Sequence, residues 1–498
     1  MINNKTTLYF FLLLLICPFF GEANNITIEN VALSNKNTNT KTVEVNFDLS
    51  WDNSWRVSSA QSNWDAVWVF VKYRNLNTDY WQHATLSLSG HNATGATIDN
   101  EDDTGNGYSK GAFVYSASNI SQQTVNYNVS LSWAYGEDHQ GDDDTFEINV
   151  YGIEMVYVPQ GRFALGTGGN EASSFYTFIN NTSNRANPYY VSSEEAIDVG
   201  ETAGNLCYVT NVNSGEFRDG VIAEDFPKGY QSFYCMKYEI TQGQFVDFLN
   251  TLTSLQTGQN DFVKNKYGTN RNSIQYVTDQ YVADAPYLPY VHGSHLAIFN
   301  YLDWSCLRPM SEFEFEKACR GTKTPVHREF AWGESTYNPD DFTLANLGAF
   351  NEEITANYSA TLGNAAFSET LGNVGGPIRV GITATSTSDR IQSGASYYGI
   401  MDLSGSAFEA VVIVSSEEGR KFDGSHGNGL LSNIGNYTID GWPQLIEANE
   451  GAGIRGGSYV NTNDQAYVST RGLAAICYPT NSGRDFVGGR GVRTAPKN

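Results

Sequence analysis

Basic residues are scarce in this chain of 498 residues. There are 30 Lys and Arg against 54 Asp and Glu, which gives a formal net charge of −24 at pH 7. A nucleic-acid-binding protein needs clustered positive charge to displace counterions from phosphate, so the composition excludes that class. Apolar residues still make up 40% of the chain. That fraction is enough to bury a large core, which excludes an intrinsically disordered protein.

Histidine and cysteine are also few. The chain has 7 His, 6 Cys and no Cys-x-x-Cys pair, so a structural zinc site is not expected. Once the N-terminal Cys17 is set aside, the remaining cysteines are Cys207, Cys235, Cys306, Cys319 and Cys477. Their number is odd, so at least one thiol stays free. Buried thiols and one or two disulfides are equally acceptable interpretations, because export permits disulfides but a chain of this length does not need them.

Long hydrophobic runs are missing except near the N terminus. Residues 8–20 read LYFFLLLLICPFF, which is shorter than the roughly 18 apolar residues that cross a membrane. Small residues follow at Gly21 and Ala23, as a signal peptidase requires. We therefore expect a signal peptide over residues 1–23, no transmembrane segment, and export to the periplasm, the outer membrane or the exterior. A lipoprotein interpretation centred on Cys17 is weaker, because Ile16 stands where a small residue is needed.

Aromatic residues (13%) and glycine (48 residues) are abundant instead, as is typical of extracellular β proteins. In residues 24–151, apolar and polar residues alternate with a period of two, for example over 43–49, 64–73 and 125–133. This alternation predicts half-buried strands, and hence an N-terminal β-sandwich of immunoglobulin or fibronectin type. The acidic loops at 99–103 and 137–144 could bind Ca²⁺, although such loops are more often only solvated.

The pattern changes in the second predicted domain, residues 152–498. Two helices are predicted by the capping boxes that begin at Thr241 and Ser311, the second helix covering residues 312–320. Most of the remaining chain is irregular, which is unusual in a compact domain. We expect bound metal to hold these loops. The predicted fold class is therefore mainly β, with irregular α+β regions in the second domain.

Seven segments of the second domain carry a family resemblance. In order they are IEMVYVPQGRF (153–163), YEIT (238–241), LRPMSEFEFEKACRG (307–321), FAWG (330–333), YGIMDLSGSAFE (398–409), RGGSY (455–459) and GVR (491–493). Together they resemble the formylglycine-generating-enzyme family, also called sulfatase-modifying-factor domains. The resemblance implies a variant C-type-lectin fold. An N-terminal sandwich joined to such a domain is similar to an arrangement in secreted Bacteroidota proteins, and relatives include components of gliding and type IX secretion machinery.

The resemblance also implies Ca²⁺ as a cofactor. In the family, the matching segment binds this ion through two side chains and two backbone carbonyls, which here are Asp402, Gly405, Ala407 and Glu409. Oxygen ligands in a flexible loop suit Ca²⁺. A second family site implies the Asn346 side chain and the Leu347 carbonyl. An acidic loop without an ion is the alternative interpretation.

The family's oxidases bind copper through two thiolates just after the segment that matches RGGSY. Residues 460–467 here read VNTNDQAY and contain no cysteine. Amides cannot replace thiolates as Cu(I) ligands, and the iron-dependent relatives use a histidine cluster from a helical partner domain. We therefore expect neither copper nor iron and no catalytic residues. Glu312, Glu314 and Glu316 have an ordinary place at a helix N terminus.

The family's substrate groove lies beside the missing thiolates, so the resemblance implies a ligand surface there. Its polar and aromatic side chains suit hydrogen bonding and stacking. We call this set the binding face: Ser458, Asn461, Asn463, Asp464, Gln465 and Tyr467.

The leading functional hypothesis is a secreted or periplasmic, non-catalytic binding or structural protein, a pseudoenzyme at the cell surface. Its Ca²⁺-stabilised domain would hold a protein or glycan partner, and fold alone does not choose between them. One alternative is an exported oxidase or sulfatase-activating enzyme with relocated metal ligands. Another is a variable ligand-display receptor that diversifies this fold near its C terminus.

Overall fold

The computed structural model describes residues 25–497, apart from residues 60, 79, 181–184, 259, 373, 446–448 and 480–482. The predicted signal peptide therefore lies outside the described residues. The described part is mainly β, as predicted, with 27 strands and four short α-helices. None of these helices has the length and apolar character that a membrane crossing would require.

The elements follow one another with little helix before the middle of the chain. The first strands are β1 Thr27–Asn37, β2 Thr42–Arg56, β3 Asp65–Asn75, β4 Trp81–His83, β5 Leu86–Ser87, β6 Asn92–Ala93, β7 Ala96–Asp99, β8 Tyr108–Ser109, β9 Ala112–Ser116, β10 Ile120–Trp133 and β11 Phe146–Val158. Then come β12 Phe163–Leu165, β13 Tyr176–Thr177, β14 Tyr189–Val191, β15 Ile197–Val199, β16 Leu206–Cys207, β17 Gly220–Ile222 and β18 Phe233–Met236. The helices and remaining strands are α1 Gln242–Leu249, α2 Ser254–Thr257, β19 Ile274–Val277, β20 Gln280–Ala283, α3 His295–Trp304, β21 Arg308–Ser311, α4 Glu312–Arg320, β22 Thr343–Ala345, β23 Glu353–Ala356, β24 Phe408–Val412, β25 Ala452–Arg455, β26 Val487–Gly488 and β27 Gly491–Thr494.

Two sheets face each other in the N-terminal region. The first has the order β1-β2-β10-β5-β8, with β6 beside β10, and the second contains β11, β3, β9 and β7 as neighbours. Alternate side chains of the central strands meet between the sheets, among them Val45, Val69 and Leu131, all fully buried. Two sheets around one apolar core form a β-sandwich. Its likeness to immunoglobulin or fibronectin domains stays a prediction.

Strand β11 connects the two predicted domains. It pairs antiparallel with β3 from Phe146 to Val156, and its last residues, from Met155 to Val158, also pair with β18 on the other side. The second sheet therefore continues into the C-terminal region in the order β25-β24-β21-β27-β18-β11-β3-β9-β7. The predicted boundary after residue 151 falls inside β11. The two regions thus share a sheet, and the division into two domains stays a prediction.

Strand β3 differs from its prediction. Residues 64–73 are expected to be half-buried, but both faces of β3 are buried. Val67 and Val69 belong to the sandwich core, whereas Trp68 and Phe70 belong to the core of the C-terminal region. The indole Nε1 of Trp68 donates a hydrogen bond to the Ser305 carbonyl at 2.9 Å. The run AVWVFV is nearly continuous in apolar residues, as is typical of a strand covered on both sides.

Both predicted capping boxes are present. The Thr241 side chain caps α1, and the Gln244 side chain returns to the Thr241 backbone N–H at 3.0 Å. At α4, Ser311 and Glu314 form the same reciprocal pair, also with a 3.0 Å return bond. Each box satisfies backbone N–H groups that a helix start leaves without partners. These local interactions explain why the two helices begin where the sequence predicts.

Helix α4 is buried along its whole length although it carries three glutamates. Arg308 donates to both oxygens of Glu314, at 2.7 and 2.8 Å. Glu312 accepts from Arg471 at 2.7 Å and from Arg455 at 3.0 Å. Burial favours a raised pKa for Glu312, but the charges of Arg471 and Arg455 hold it below its ordinary value. We call this group the helix cluster: Glu312, Glu314, Glu316, Arg308, Arg320, Arg455 and Arg471.

Buried polar side chains hold several irregular segments. The carboxylate of Asp303 accepts from the backbone N–H groups of Asn428 and Thr438, both at 2.8 Å. The Asn364 amide donates to the carbonyls of Ser359 and Gln392 at 2.9 and 2.7 Å. Such bonds replace the backbone partners that a strand would supply. Protein groups thus contribute to the order of these segments, and the predicted contribution of bound metal stays a prediction.

Candidate functional site

The predicted calcium segment forms a tight turn before strand β24. Asp402, Gly405 and Ser406 have left-handed backbone conformations, with φ of 62°, 96° and 64°. A Cβ atom at Gly405 would lie 2.7 Å from the Ala366 carbonyl oxygen, so only glycine fits there without displacing the chain. The turn brings Asp402 close enough to Glu409 for the charge of Asp402 to raise the pKa of Glu409. The two predicted ligands are thus close enough to interact, and their assignment to one Ca²⁺ site stays a prediction.

A third carboxylate, Glu239, belongs to the same site and was not predicted. Its two oxygens accept from the backbone N–H of Ala407 at 2.7 Å and from the Ser406 hydroxyl at 2.9 Å. Burial raises the pKa of Glu239 well above its ordinary value, and the charges of Asp402 and Glu409 raise it further. Glu239 belongs to the YEIT segment, which the sequence pattern connects only with the start of α1. Nothing in that local pattern indicates an interaction with residues 402–409, which are distant in sequence.

Positive charge is limited in this site. Arg490 donates from Nε to Oε1 of Glu409 at 2.6 Å, whereas Oε2 of Glu409 is buried and has no hydrogen-bond partner among the described residues. Burial raises the pKa of Glu409 and of Asp402. An unpaired carboxylate oxygen among excess negative charge fits a hard cation such as Ca²⁺. We call Glu239, Asp402, Glu409 and Arg490 the Asp402 cluster.

The second predicted calcium position has a different environment. The Asn346 amide donates to the Asn351 carbonyl at 3.2 Å, and Leu347 is exposed. The nearby Glu352 is fully buried, and it accepts from Arg271 at 3.1 Å and from the Gly348 backbone at 2.5 Å. Arg271 therefore already supplies a counter-charge beside this turn. The assignment of Asn346 and Leu347 as ligands stays a prediction.

The binding face is formed by a turn stabilised by its own side chains. Ser458 is fully buried and donates to the Asn461 side-chain oxygen at 2.5 Å. Asp464 is exposed and accepts from the Thr462 hydroxyl at 2.6 Å. The Tyr467 ring packs 4.9 Å from that of Phe330. Asn463 and Gln465 are half-exposed beside them. Five of the six predicted residues thus reach the surface, whereas Ser458 supports them from below.

Two further side chains adjoin the binding face and were not predicted. The Tyr337 hydroxyl donates to the Glu369 carboxylate at 3.0 Å, and the backbone N–H of Ser368 donates to the Asn461 carbonyl at 3.1 Å. The Tyr337 ring also lies 5.8 Å from that of Phe330, which packs against Tyr467. Ser368 and Glu369 come from the segment 351–369, which shows no recognisable family pattern, and Tyr337 lies before it, so sequence comparison by motif does not find these residues.

All five cysteines of the described part are buried and form no disulfide. Burial raises the pKa of Cys235, Cys306 and Cys477 to about 12. Burial thus disfavours the thiolate form of these three side chains. Among the described residues, Glu101, Asp103 and His426 form a group of three potential metal ligands whose ligand atoms lie within 4.8 Å of one another. This group contains no cysteine.

This last set joins the first acidic loop to the C-terminal region. Asp103 is ion-paired with Arg493 and accepts from the Lys110 backbone at 2.8 Å. Burial opposes the charge of Asp103, but Arg493 holds its pKa well below the ordinary value. His426 accepts from the Thr494 backbone at 3.1 Å. In the second acidic loop, Asp138 bonds to Thr85 and Trp133, and Asp142 to Lys41. Calcium binding by either loop stays a prediction.

Comparison with known proteins agrees with the arrangement of the C-terminal region. A search of curated proteins found no match. Residues 146–495 match the family described as the sulfatase-modifying factor enzyme 1-like domain, also designated FGE-sulfatase. The matched range begins with the first residue of β11 and continues past β27, so it covers well over half of the chain. The chain therefore belongs to the sulfatase-modifying factor enzyme 1-like domain family.

Proposed function

We propose that this chain is an exported, non-catalytic binding protein. Its sulfatase-modifying-factor-like domain holds a protein or glycan partner on the binding face and is stabilised by Ca²⁺ at the Asp402 cluster. The setting is the cell envelope, in a surface, gliding or type IX secretion assembly. The observation that carries the proposal is the composition of the binding face, where amides, a carboxylate and a tyrosine stand in the place of the family's copper-binding thiolates.

The chemistry of the binding face supports this function. Asn463, Asp464 and Gln465 offer donors and acceptors on a short 3₁₀ turn, and Tyr467 adds an aromatic ring. Such side chains recognise a partner by hydrogen bonds and stacking. The five cysteines of the described part are buried, and none of them lies in residues 460–467, where the resemblance places the family's soft copper ligands.

The Asp402 cluster supports the calcium part of the proposal. Three carboxylates lie near Arg490, and Oε2 of Glu409 has no hydrogen-bond partner in the part of the chain that the structure describes. Asp402 and Glu409 would be the side-chain ligands, with the Gly405 and Ala407 carbonyls. A bound Ca²⁺ ion would supply the missing positive charge in the turn that precedes β24, beside Glu239 in the segment that leads into α1.

Metal analysis of the purified chain tests the non-catalytic part. The proposal expects Ca²⁺ and no oxygen consumption with thiol-containing peptides as substrates. The rival interpretation is an exported oxidase with relocated ligands. It expects about one equivalent of copper or iron that is lost in the Cys477→Ser variant. Stoichiometric copper or iron together with oxygen uptake would refute the proposed function.

Partner capture tests the binding face. The purified chain, immobilised on resin, is exposed to envelope extract from its native host, and captured proteins and glycans are compared between variants. The proposal expects the Asp464→Ala/Tyr467→Ala variant to lose a partner that the wild type retains. The matched control Asp143→Ala/Tyr276→Ala removes the same exposed residue types far from the face, and it should retain the partner. Equal capture by both variants would contradict the assignment of the face.

A further inference from the structure

A cleft lies where the N-terminal sandwich meets the C-terminal region. Its volume is about 520 Å³, within the range of pockets that bind small organic molecules. The sandwich contributes the start of β1, Phe70 and the middle of β11, and the C-terminal region contributes α1, α3 and the chain near Tyr287 and Phe350. No residue of the binding face lines this cleft. It is therefore a separate site, and neither region could form it alone.

Aromatic rings form one wall of the cleft. Tyr151 and Trp304 meet edge to face with ring centroids 5.1 Å apart, and Phe70 stands 5.4 Å from Tyr151 and 5.1 Å from Trp304. Tyr301 lies 5.6 Å from Trp304. These contacts fix the rings against one another. Phe70, Tyr301 and Trp304 are buried, and Lys72 Nζ already lies 5.0 Å from the Trp304 ring. Tyr151 is half-buried, so it offers the ring that a cation in the cleft can contact.

Asp247 of helix α1 stands beside this wall. Its carboxylate has no hydrogen-bond or ion-pair partner among the described residues. The charge of Asp247 contributes to the raised pKa of both Tyr151 and Tyr301. Asp247 is solvent-exposed and lies on the wall of the cleft. The protein packed around it raises the pKa of Asp247 to about 6 by desolvation, so it remains ionised at pH 7.5.

The other charged groups of the cleft already have protein partners. Glu154 is paired with Lys237 at 2.9 Å, and Glu239 is held within the Asp402 cluster. Arg379 donates from Nε to the Glu352 carbonyl at 2.9 Å. Asp247 therefore provides the charge that a ligand would meet.

The mouth of the cleft is also aromatic. Tyr287 and Phe350 line it, and they are 40% and 49% exposed. Large exposed rings on the edge of a pocket commonly mark a site of contact with a ligand. Phe350 contributes to the cleft and remains half exposed, so it can be replaced with little risk to the fold.

We propose that this cleft binds a small organic cation, an amine with an apolar or aromatic body. The ammonium group pairs with the Asp247 carboxylate and contacts the Tyr151 ring, and the apolar body extends toward Phe350 at the mouth. Because both regions line the cleft, the bound ligand bridges them.

Isothermal titration calorimetry with the full chain at pH 7.5 tests the proposal. The probes are benzylammonium, its neutral analogue benzyl alcohol and its anionic analogue benzoate. Benzylammonium is expected to bind tightest and benzoate weakest. Asp247→Asn keeps the shape of the side chain and removes its charge, so it should weaken benzylammonium binding roughly tenfold or more. Asp464→Asn, a matched change on the binding face, should leave the affinity unchanged.

A second variant and a melting curve separate a lost site from a lost fold. Phe350→Ala should weaken the binding of all three probes severalfold without changing the order of their affinities. Asp247→Asn should melt at or above the wild-type temperature, since it removes an unpaired carboxylate. Equal affinity for benzylammonium and benzoate, an Asp247→Asn variant that binds as wild type does, or no saturable binding of benzylammonium would overturn the proposal. None of these results bears on partner capture by the binding face.

Discussion

The helix cluster and the Asp402 cluster differ in how their buried carboxylates are matched by positive charge. In the helix cluster, three glutamates contact four arginines, and Glu312 keeps a pKa below its ordinary value despite burial. In the Asp402 cluster, three carboxylates share the site with Arg490, and the pKa values of all three are raised. The two groups lie in the same domain and are built from the same residue types.

This difference separates a structural role from a binding role. A buried carboxylate costs free energy unless hydrogen bonds and opposite charge compensate it. The helix cluster is compensated within the chain, so it can hold α4 against β25 without any ligand. The Asp402 cluster is compensated only in part, so it either takes up protons or binds a cation. The predictions that follow test this contrast, beginning with the largest expected effect.

Removing one charge from the helix cluster should destabilise the chain strongly. In Glu312→Gln, Arg455 and Arg471 lose a shared carboxylate partner in a site without solvent. We expect the free energy of unfolding to fall by about 3–5 kcal/mol, the usual cost of breaking a buried pair, as measured by urea denaturation with or without Ca²⁺.

A surface pair gives the control for this experiment. Lys421 and Glu418 also form an ion pair, at 2.8 Å, but Lys421 is exposed. Lys421→Gln should have no measurable effect on the free energy of unfolding, because solvent screens such pairs. If the two variants behaved alike, the helix cluster would not be the structural element that we describe.

Removing calcium should reveal the incomplete compensation of the Asp402 cluster. When free Ca²⁺ is a hundredfold above its dissociation constant, binding stabilises the folded chain by about 2.7 kcal/mol. We therefore expect EGTA to lower the melting temperature of the wild type. Glu409→Gln should melt at one temperature in Ca²⁺ and in EGTA, because it lacks a ligand. If EGTA left the wild-type melting temperature unchanged and calorimetry showed no heat of Ca²⁺ binding, the proposed Ca²⁺ site would be ruled out.

The parts of this architecture that were predictable are local in sequence. Thr241 and Ser311 each face a capping partner three residues later, so the starts of α1 and α4 were found correctly. The alternation in residues 43–49 and 125–133 likewise predicted strands where β2 and β10 lie, because a period of two indicates a strand with one buried face. Asp402 and Glu409 lie within one motif, and their assignment as ligands of one ion stays a prediction.

The parts that were missed depend on contacts distant in sequence. Arg455 and Arg471 reach α4 from more than a hundred residues away, so the sequence suggested only a helix-dipole role for Glu312. Glu239 joins the Asp402 cluster across a similar distance. Strand β3 was predicted to be half-buried, but its second face is covered by the C-terminal region. The alternation of residues within β3 gives no information about that distant part of the chain. Tertiary contacts, not local propensity, decide these features.

The role of Arg490 can be measured by its coupling to calcium. In Arg490→Met, the metal-free chain loses the arginine that contacts Glu409, whereas the Ca²⁺-loaded chain keeps the ion as a counter-charge. We expect the substitution to lower the free energy of unfolding more in EGTA than in Ca²⁺. The difference between the two losses, which is the coupling energy between Arg490 and the ion, should be about 1–3 kcal/mol. Equal losses in both conditions would show that the ion and Arg490 do not share a site.

An intermediate case lies at the junction of the two regions, where Asp103, Glu101, Arg493 and Arg308 face His426. Burial and the charge of Arg493 lower the pKa of His426 to about 3, while Asp103 opposes this shift. In the unfolded chain the imidazole has its ordinary pKa of about 6.5. Between pH 6.5 and 3, His426 is therefore protonated in the unfolded chain and neutral in the folded chain. The stability that the neutral imidazole contributes to the folded chain is fully present above pH 6.5 and is lost as the pH falls.

His426→Gln tests this smallest effect, since its amide oxygen can still accept from the Thr494 backbone. The free energy of unfolding of the wild type should lose up to about 1.4 kcal/mol per pH unit relative to the variant as the pH falls from 6 to 4. Urea denaturation at half-unit pH steps measures the difference, and the other buried histidines cancel between the two proteins. Parallel stability curves would mean that His426 becomes protonated in the folded chain, and that Asp103 outweighs Arg493 at this junction.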